Sequence, residues 1–134
     1  MNAAVQTRTF GVRSDEVTAI DSWVEKVAAQ WGESERTVFG ARLCIAELAA
    51  NVLEHGGSKS GTDHIIVTIC HLGDGIGIEF LDSREAFDPT ATAVATKSSA
   101  CGGRGLTLLH AYADDLTYSN DGIYNRVKLK IKSV

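Results

Sequence analysis

The stretch Glu47-Leu-Ala-Ala-Asn51-Val-Leu-Glu-His55-Gly-Gly decides how the rest of the chain is interpreted. Its polar residues Glu47, Asn51 and His55 recur at a spacing of four inside a segment with the composition of a helix. Residues four apart lie above one another on one face of an α-helix, so the spacing predicts a polar column. Such a column is either a solvated helix face or one wall of a binding site. The apolar residues of the helix are expected on the opposite, buried side: Leu43, Ala46, Ala50 and Leu53, with Ile45 and Val52 nearby.

Length and composition limit the class of protein. The 134 residues fit one domain, 1–134, with room for a core that needs no disulfide or metal. A formal net charge of −4 argues against general nucleic-acid binding. Three widely spaced cysteines indicate reduced thiols in a cytoplasmic protein. Residues 1–10 lack the apolar core of a signal peptide, and no apolar run approaches the ~20 residues that span a bilayer.

Periodicity along the chain predicts an α+β domain. Alternating β-formers indicate a first, edge strand over 7–12, and apolar residues at spacings of three and four indicate helices over 15–31 and 34–55. Ser14 and Ser34 are the expected N-caps of these helices. Further strands are expected over 64–72, 76–81, 115–119 and 124–132, and a short helix over 104–113. The hairpin connections predict a mixed or antiparallel sheet with helices on one face, a two-layer sandwich.

The segment from about residue 82 to 103 has no clear period and holds the only proline, Pro89. A loop of roughly twenty residues in a compact domain is usually a functional lid or a disordered segment.

The helical column suits phosphate chemistry. Magnesium prefers oxygen ligands and keeps several waters, so the Asn51 amide oxygen can suffice when phosphates supply the rest. Glu47, one turn earlier, can act as a general base on a nearby hydroxyl or water. His55 either positions these groups or is a capping and packing residue near the helix end.

Two further stretches carry candidate chemistry. Asp82 ends an apolar strand, where its carboxylate can accept from an exocyclic amino group or simply begin a turn. Gly102-Gly103-Arg104-Gly105-Leu106 opens a helix, whose free N–H groups suit an anion, although the stretch can also be a plain hinge. Lys97 and Arg104 add positive charge nearby, unless they are solvated surface residues.

These pieces, in this order, resemble the nucleotide-binding fold shared by DNA gyrase, Hsp90, histidine kinases and MutL, the GHKL superfamily. The chain is most similar to the anti-sigma-factor serine kinases of bacterial partner switching. Glu47-Leu-Ala-Ala-Asn51 with His55 resembles the N-box of that family. Asp82 with Phe87-Asp88-Pro89 resembles the G1 region, and Gly102-Gly103-Arg104-Gly105-Leu106 resembles the G2 box. The resemblance covers nearly the whole chain.

The resemblance implies roles for individual residues. Glu47 would activate a serine hydroxyl of a protein substrate, Asn51 would hold Mg²⁺, and Asp82 would bind the adenine amino group of ATP. Gly103 and Gly105 would contact phosphates beneath a lid over about 84–101. The nucleotide site would also include these residues: His55, Phe87, Lys97, Gly102, Arg104 and Leu106.

The resemblance also implies partners. The substrate would be a small anti-anti-sigma protein of the STAS type, and the alternative partner a sigma factor or an equivalent regulator. A cytoplasmic homodimer joined through the first strand is expected, with no direct contact to nucleic acid or membrane.

Two positions depart from the family pattern. Arg84 stands where a glycine usually lets the backbone pass close to the base, which predicts weaker nucleotide binding. Asn125-Arg126-Val127 stands where relatives often carry a threonine that supports the aspartate, and Arg126 cannot accept a hydrogen bond. These departures leave a second interpretation open, a binding module of the same fold that sequesters a partner. A small α/β domain of unrelated function is the third.

Overall fold

The computed structural model describes residues 4–54, 63–83 and 109–133. Within these ranges lie two long helices, α1 (Ser14–Gln30) and α2 (Glu35–Glu54), and five strands: β1 (Val5–Gly11), β2 (His64–Leu72), β3 (Gly75–Asp82), β4 (Asp114–Asn120) and β5 (Asn125–Lys132). Residues 109–112 are also helical. The predicted strands and long helices are confirmed, with small shifts at their ends.

The strands form one sheet in the order β1-β2-β3-β5-β4. Every neighbouring pair is antiparallel, which decides between the mixed and antiparallel alternatives. Strand β1 lies at an edge, as predicted. The central strand β3 pairs with β5 so that Asp82, its last residue, lies opposite Asn125.

The core lies between one face of this sheet and the two helices. Alternate residues of the three middle strands are buried on that face, as the period of a strand requires. They join the buried residues of α1 and α2 in a single hydrophobic cluster. The α+β architecture with its helices on one face is therefore confirmed.

The buried side of α2 differs from the prediction. Its apolar buried stripe includes Ile45, Leu48 and Val52, whereas Ala46 and Ala50 are exposed. The large side chains of Ile45, Leu48 and Val52 set this orientation, because an alanine removes little apolar area from water and so has little influence on which side is buried. Glu47 and Asn51 are half-buried beside this stripe rather than on the side opposite it.

The helix ends confirm one predicted cap and correct another. The backbone N–H of Thr37 donates to Ser34 Oγ at 3.2 Å, so Ser34 caps α2 as predicted. The prediction for Ser14 is wrong: Arg13 is the N-cap residue of α1, without a side-chain cap bond. Helix α1 ends before Gly32, whose φ of 75° is left-handed and suits glycine.

Replacing Gly75 with alanine is expected to destabilise the fold. A Cβ at this first residue of β3 would overlap the carbonyl oxygen of Ile131 in β5, and backbone cannot move aside as a flexible side chain can. We expect a loss of about 1–3 kcal/mol in the free energy of unfolding, measured by urea denaturation. Gly73→Ala is the matched control, since a Cβ there meets nothing within 4 Å. Equal stability of the two variants would contradict the packing argument.

Candidate nucleotide site

Asp82 is a buried carboxylate at the end of the central strand. Its residue is 5% exposed, and it lies on the helix-covered face of the sheet. Its Oδ1 accepts a hydrogen bond from Asn125 Nδ2 at 3.0 Å. Burying a carboxylate is costly unless it is hydrogen-bonded, and the amide supplies such a bond. Because a carboxylate oxygen has more than one lone pair and the group has two oxygens, Asp82 can accept from a further donor.

Asn125 was quoted in the sequence only as the neighbour of Arg126, and no role in the site was predicted for it. It is 1% exposed and continues the inward-facing row of β5, followed at every second position by Val127, Leu129 and Ile131. Tyr118 O–H donates to Asn125 Oδ1 at 2.6 Å, and Asn120 Nδ2 donates to the same oxygen at 3.2 Å. The sequence did contain a signal for this residue. In β5 every second side chain faces the core, and Asn125 is the one amide in that otherwise apolar row.

Arg126 cannot accept a hydrogen bond and was expected to be accommodated away from Asp82, and it points to the opposite face of the sheet. Its guanidinium lies 2.7 Å from Glu79 Oε2 and 3.5 Å from Asp121 Oδ2. The hydrogen bond that Arg126 donates to Glu79 raises the pKa of Arg126 above its ordinary value. The residue that faces Asp82 is Asn125, whose amide can both donate and accept hydrogen bonds.

Glu47 and Asn51 lie one turn apart on α2, half-buried at the border of its apolar stripe. Helix α2 packs against β3 and β5. The strand face that holds Asp82 is therefore the face that α2 covers, so the fold brings the helix with Glu47 and Asn51 to the same side of the sheet as Asp82. The amide oxygen of Asn51 and the carboxylate oxygens of Glu47 are the kind of ligand that Mg²⁺ prefers, and phosphate oxygens can complete the coordination of the ion.

The remaining predicted site residues lie outside the described residues. They are His55, Phe87, Lys97, Gly102, Gly103, Arg104, Gly105 and Leu106, together with the predicted lid over about 84–101 and the departure at Arg84. Residues 109–112 are helical, in agreement with the end of the helix predicted over 104–113.

Across residues 4–54, 63–83 and 109–133, two further properties bear on the type of site. No group of three or more histidine, cysteine, aspartate or glutamate side chains is arranged to hold a metal ion. No helix in the same ranges is long and apolar enough to cross a membrane.

Cys44 lies on the buried side of α2, one turn before Glu47. Burial raises the pKa of its thiol to about 12, and the nearby Glu47 carboxylate adds to the increase because it opposes a second negative charge. The thiolate is the reactive form, so Cys44 is not a candidate nucleophile at neutral pH.

The raised pKa predicts an inert thiol in the native protein. An increase from 9.0 to about 12 lowers the thiolate fraction at pH 8 by about a thousandfold, and reactivity should recover only as the pH approaches 12. Iodoacetamide labelling followed by peptide mass spectrometry measures this for each cysteine. The half-buried Cys70 is the internal comparison, and labelling in denaturant is the control. Equally fast native labelling of both thiols would contradict the assignment.

Comparison with known proteins identifies the fold family. The chain belongs to the family of histidine kinase-like ATPase domains, which matches residues 10–131. The structure is similar to the crystal structure of the RsbU and RsbW domains of Rv1364c from Mycobacterium tuberculosis, with a TM-score of 0.72 and 14% sequence identity. That match covers 97% of this chain and 32% of the other, so the chain spans about a third of that protein's chain. No curated protein sequence matches the chain.

Proposed function

We propose that this protein is an ATP-dependent serine-protein kinase that works as a partner-switching anti-sigma factor. Its membership of the histidine kinase-like ATPase family supports a nucleotide-dependent activity. The fold likeness to a structure that contains an RsbW domain is compatible with the serine-kinase branch. The N-box and G2 resemblances in the sequence support the same assignment.

Each described site residue has one role in this proposal. Asp82 accepts a hydrogen bond from the exocyclic amino group of adenine. The Asn51 amide oxygen holds Mg²⁺, and Glu47 takes the proton of the substrate serine hydroxyl. Mg-ATP supplies the transferable phosphoryl group and the charge neutralisation that phosphoryl transfer needs. Residues 55, 87, 97 and 102–106 complete the nucleotide site.

The buried Asp82–Asn125 pair is the observation that carries the proposal. A carboxylate that is 5% exposed and held by an amide donor suits recognition of a buried amino group. Calorimetry with ATP in the presence and absence of Mg²⁺ tests it. We expect saturable binding of ATP that weakens when the metal is removed, and absence of binding under both conditions would overturn the proposal.

The proposed partners follow the family pattern. A STAS-type anti-anti-sigma protein would be the phosphorylated substrate, and a sigma factor or an equivalent regulator would be the alternative partner. We propose a cytoplasmic homodimer of single-domain chains in which β1 contributes to the contact, since Val5–Thr9 at this sheet edge are exposed. Phosphate incorporation into the partner serine, located by mass spectrometry, tests the substrate assignment.

A non-catalytic binding module of the same fold is the second candidate. It is favoured by Arg84, which replaces a glycine of the nucleotide-binding pattern. Under this alternative the protein would bind its partner with unchanged affinity whether or not ATP is present, and it would transfer no phosphate. The calorimetric and phosphorylation measurements distinguish the two candidates.

A further inference from the structure

Helix α2 carries a second apolar stripe, on the side that faces away from the sheet. The exposed positions in the interior of this helix are occupied by Phe39, Ala46 and Ala50, and charged residues are exposed only in its first and last turns. The ring of Phe39 is 51% exposed, and two half-buried leucines continue the same line. We call this set the outer stripe; it consists of Phe39, Leu43, Ala46, Ala50 and Leu53.

The other long helix shows that an apolar outer side is not a general feature of this domain. A surface helix normally turns its polar side chains to water, and α1 follows this rule. The exposed residues of α1 are Ser14, Asp15, Thr18, Ser22, Glu25, Lys26, Ala29 and Gln30. The outer stripe of α2 departs from the rule, and an exposed apolar patch marks an interaction surface.

The spacing of the outer stripe fits contact with another helix. Its successive members are four, three, four and three residues apart, so they stay on one face of α2 over about 21 Å. The two alanines near its centre let a second helix backbone come close, and the larger side chains lie toward its ends. The stripe therefore has the pattern of one side of a helix pair.

Two charged residues flank the outer stripe at opposite ends. Arg36 precedes the stripe, Glu54 directly follows its last residue, and both are exposed. They are eighteen residues apart in one continuous helix, which is five full turns, so both lie on the same flank of the stripe. This flank begins with a positive charge and ends with a negative one.

A second copy of α2 that runs antiparallel has the complementary charges. The midpoint between Arg36 and Glu54 lies next to Ala46, the middle residue of the outer stripe. A two-fold axis at this point, in the plane of contact, keeps each flank on its own side. It brings Arg36 of one copy beside Glu54 of the other copy, and the symmetry forms this pair twice.

The same axis also makes the apolar contacts complementary in size. Phe39 comes to lie near Leu53 of the other copy, and Leu43 comes to lie near Ala50, a large side chain beside a small one. Ala46 meets its own symmetry mate, where the two backbones are closest. The surface is therefore self-complementary in both charge and shape.

We propose that the outer stripe of α2 is a contact between two copies of this chain, with the two helices antiparallel about a two-fold axis at Ala46. This contact does not depend on nucleotide binding. It also differs from the contact proposed through β1, because α2 packs against β3 and β5, whereas β1 is an edge strand that packs against α1. One pair of helices is a small interface, so we expect an equilibrium between monomer and dimer.

Sedimentation equilibrium of the nucleotide-free protein, from low micromolar to submillimolar concentration, tests the contact. Ala46→Arg brings two like charges together at the two-fold axis and should weaken association by at least about tenfold. Ala29→Arg is the matched control, because this alanine is exposed on α1, and it should leave association unchanged. Thermal unfolding verifies that both variants are folded.

An exchange of charges tests the antiparallel arrangement separately. Arg36→Glu alone, or Glu54→Arg alone, places like charges together in both symmetry-related pairs and should weaken association by about three- to tenfold. The double variant has two pairs of opposite charge again, so it should associate within about twofold of the wild type. A double variant that associates no better than the single variants would overturn the antiparallel arrangement.

A variant of the edge strand separates this contact from the one proposed through β1. Thr7→Lys adds a charge to the exposed edge and should not affect the outer stripe. Association that is weakened by Ala46→Arg but not by Thr7→Lys would support the inference. A wild type that is monomeric at every concentration, or a dimer weakened by Thr7→Lys but not by Ala46→Arg, would overturn it. Neither result would affect the proposed kinase activity, which the nucleotide and phosphorylation measurements test independently.

Discussion

Replacing Glu47 with alanine is expected to abolish phosphoryl transfer while partner binding survives. In the proposed mechanism Glu47 accepts the proton of the attacking serine hydroxyl, and a positioned general base contributes about 10²–10⁴-fold to a rate. Glu47 is half-buried at the border of the apolar stripe of α2 and is not a member of the hydrophobic core cluster. The substitution should therefore change the rate of transfer far more than the stability of the fold.

Transfer is measured with radiolabelled ATP and the cognate anti-anti-sigma protein, and partner binding by calorimetry. Glu47→Gln keeps the size of the side chain and should lose transfer to a similar extent, because an amide cannot take up the proton. Glu35→Gln is the matched control: it lies exposed in the first turn of the same helix and should transfer phosphate at the wild-type rate. Undiminished transfer by Glu47→Ala would show that another group is the base.

The elements of this fold could be predicted because their signals are local. Strand β2 is marked by a run of β-branched and apolar residues, and the turn residues Gly73-Asp74-Gly75 mark where β3 begins. The rotation of α2 was predicted incorrectly because the expected stripe included Ala46 and Ala50. Alanine is compatible with either face, so the larger Ile45, Leu48 and Val52 determine which side packs on the sheet.

The candidate site was predictable only in part, because its contacts depend on register. Asp82 could be identified from its place at the end of an apolar strand. Its partner Asn125 lies on another strand, and only the pairing of β3 with β5 places the two residues opposite each other. The distinction between Asn125 and Arg126 follows from the same register, since a shift of one residue exchanges the two faces of a strand. Comparing this stretch with the threonine of the family by sequence position alone does not show whether Asn125 or Arg126 faces Asp82.

Asp82→Asn is expected to lower ATP affinity about 10- to 100-fold, the cost of losing a hydrogen bond to a charged group. The hydrogen bond that Asn125 donates to this side chain gives the change a direction. Asn125 offers its NH₂ group, so the introduced amide must present its oxygen to Asn125 and its own NH₂ group toward the base. A donor would then face the amino group of adenine, whereas the carbonyl of ITP, the 6-oxo analogue of ATP, would be matched. The variant should therefore lose ATP affinity and gain affinity for ITP.

Calorimetry with both nucleotides measures this exchange, and thermal unfolding without nucleotide verifies that the variant is folded. Asp74→Asn is the matched control, because Asp74 is exposed in the turn at the other end of β3, where it pairs with Lys130. It should leave both affinities unchanged. Unchanged ATP affinity in folded Asp82→Asn would show that this carboxylate does not meet the base. A parallel loss of ATP and ITP binding would instead show that Asp82 shapes the site without selecting the base, because only a directional contact can exchange the two preferences.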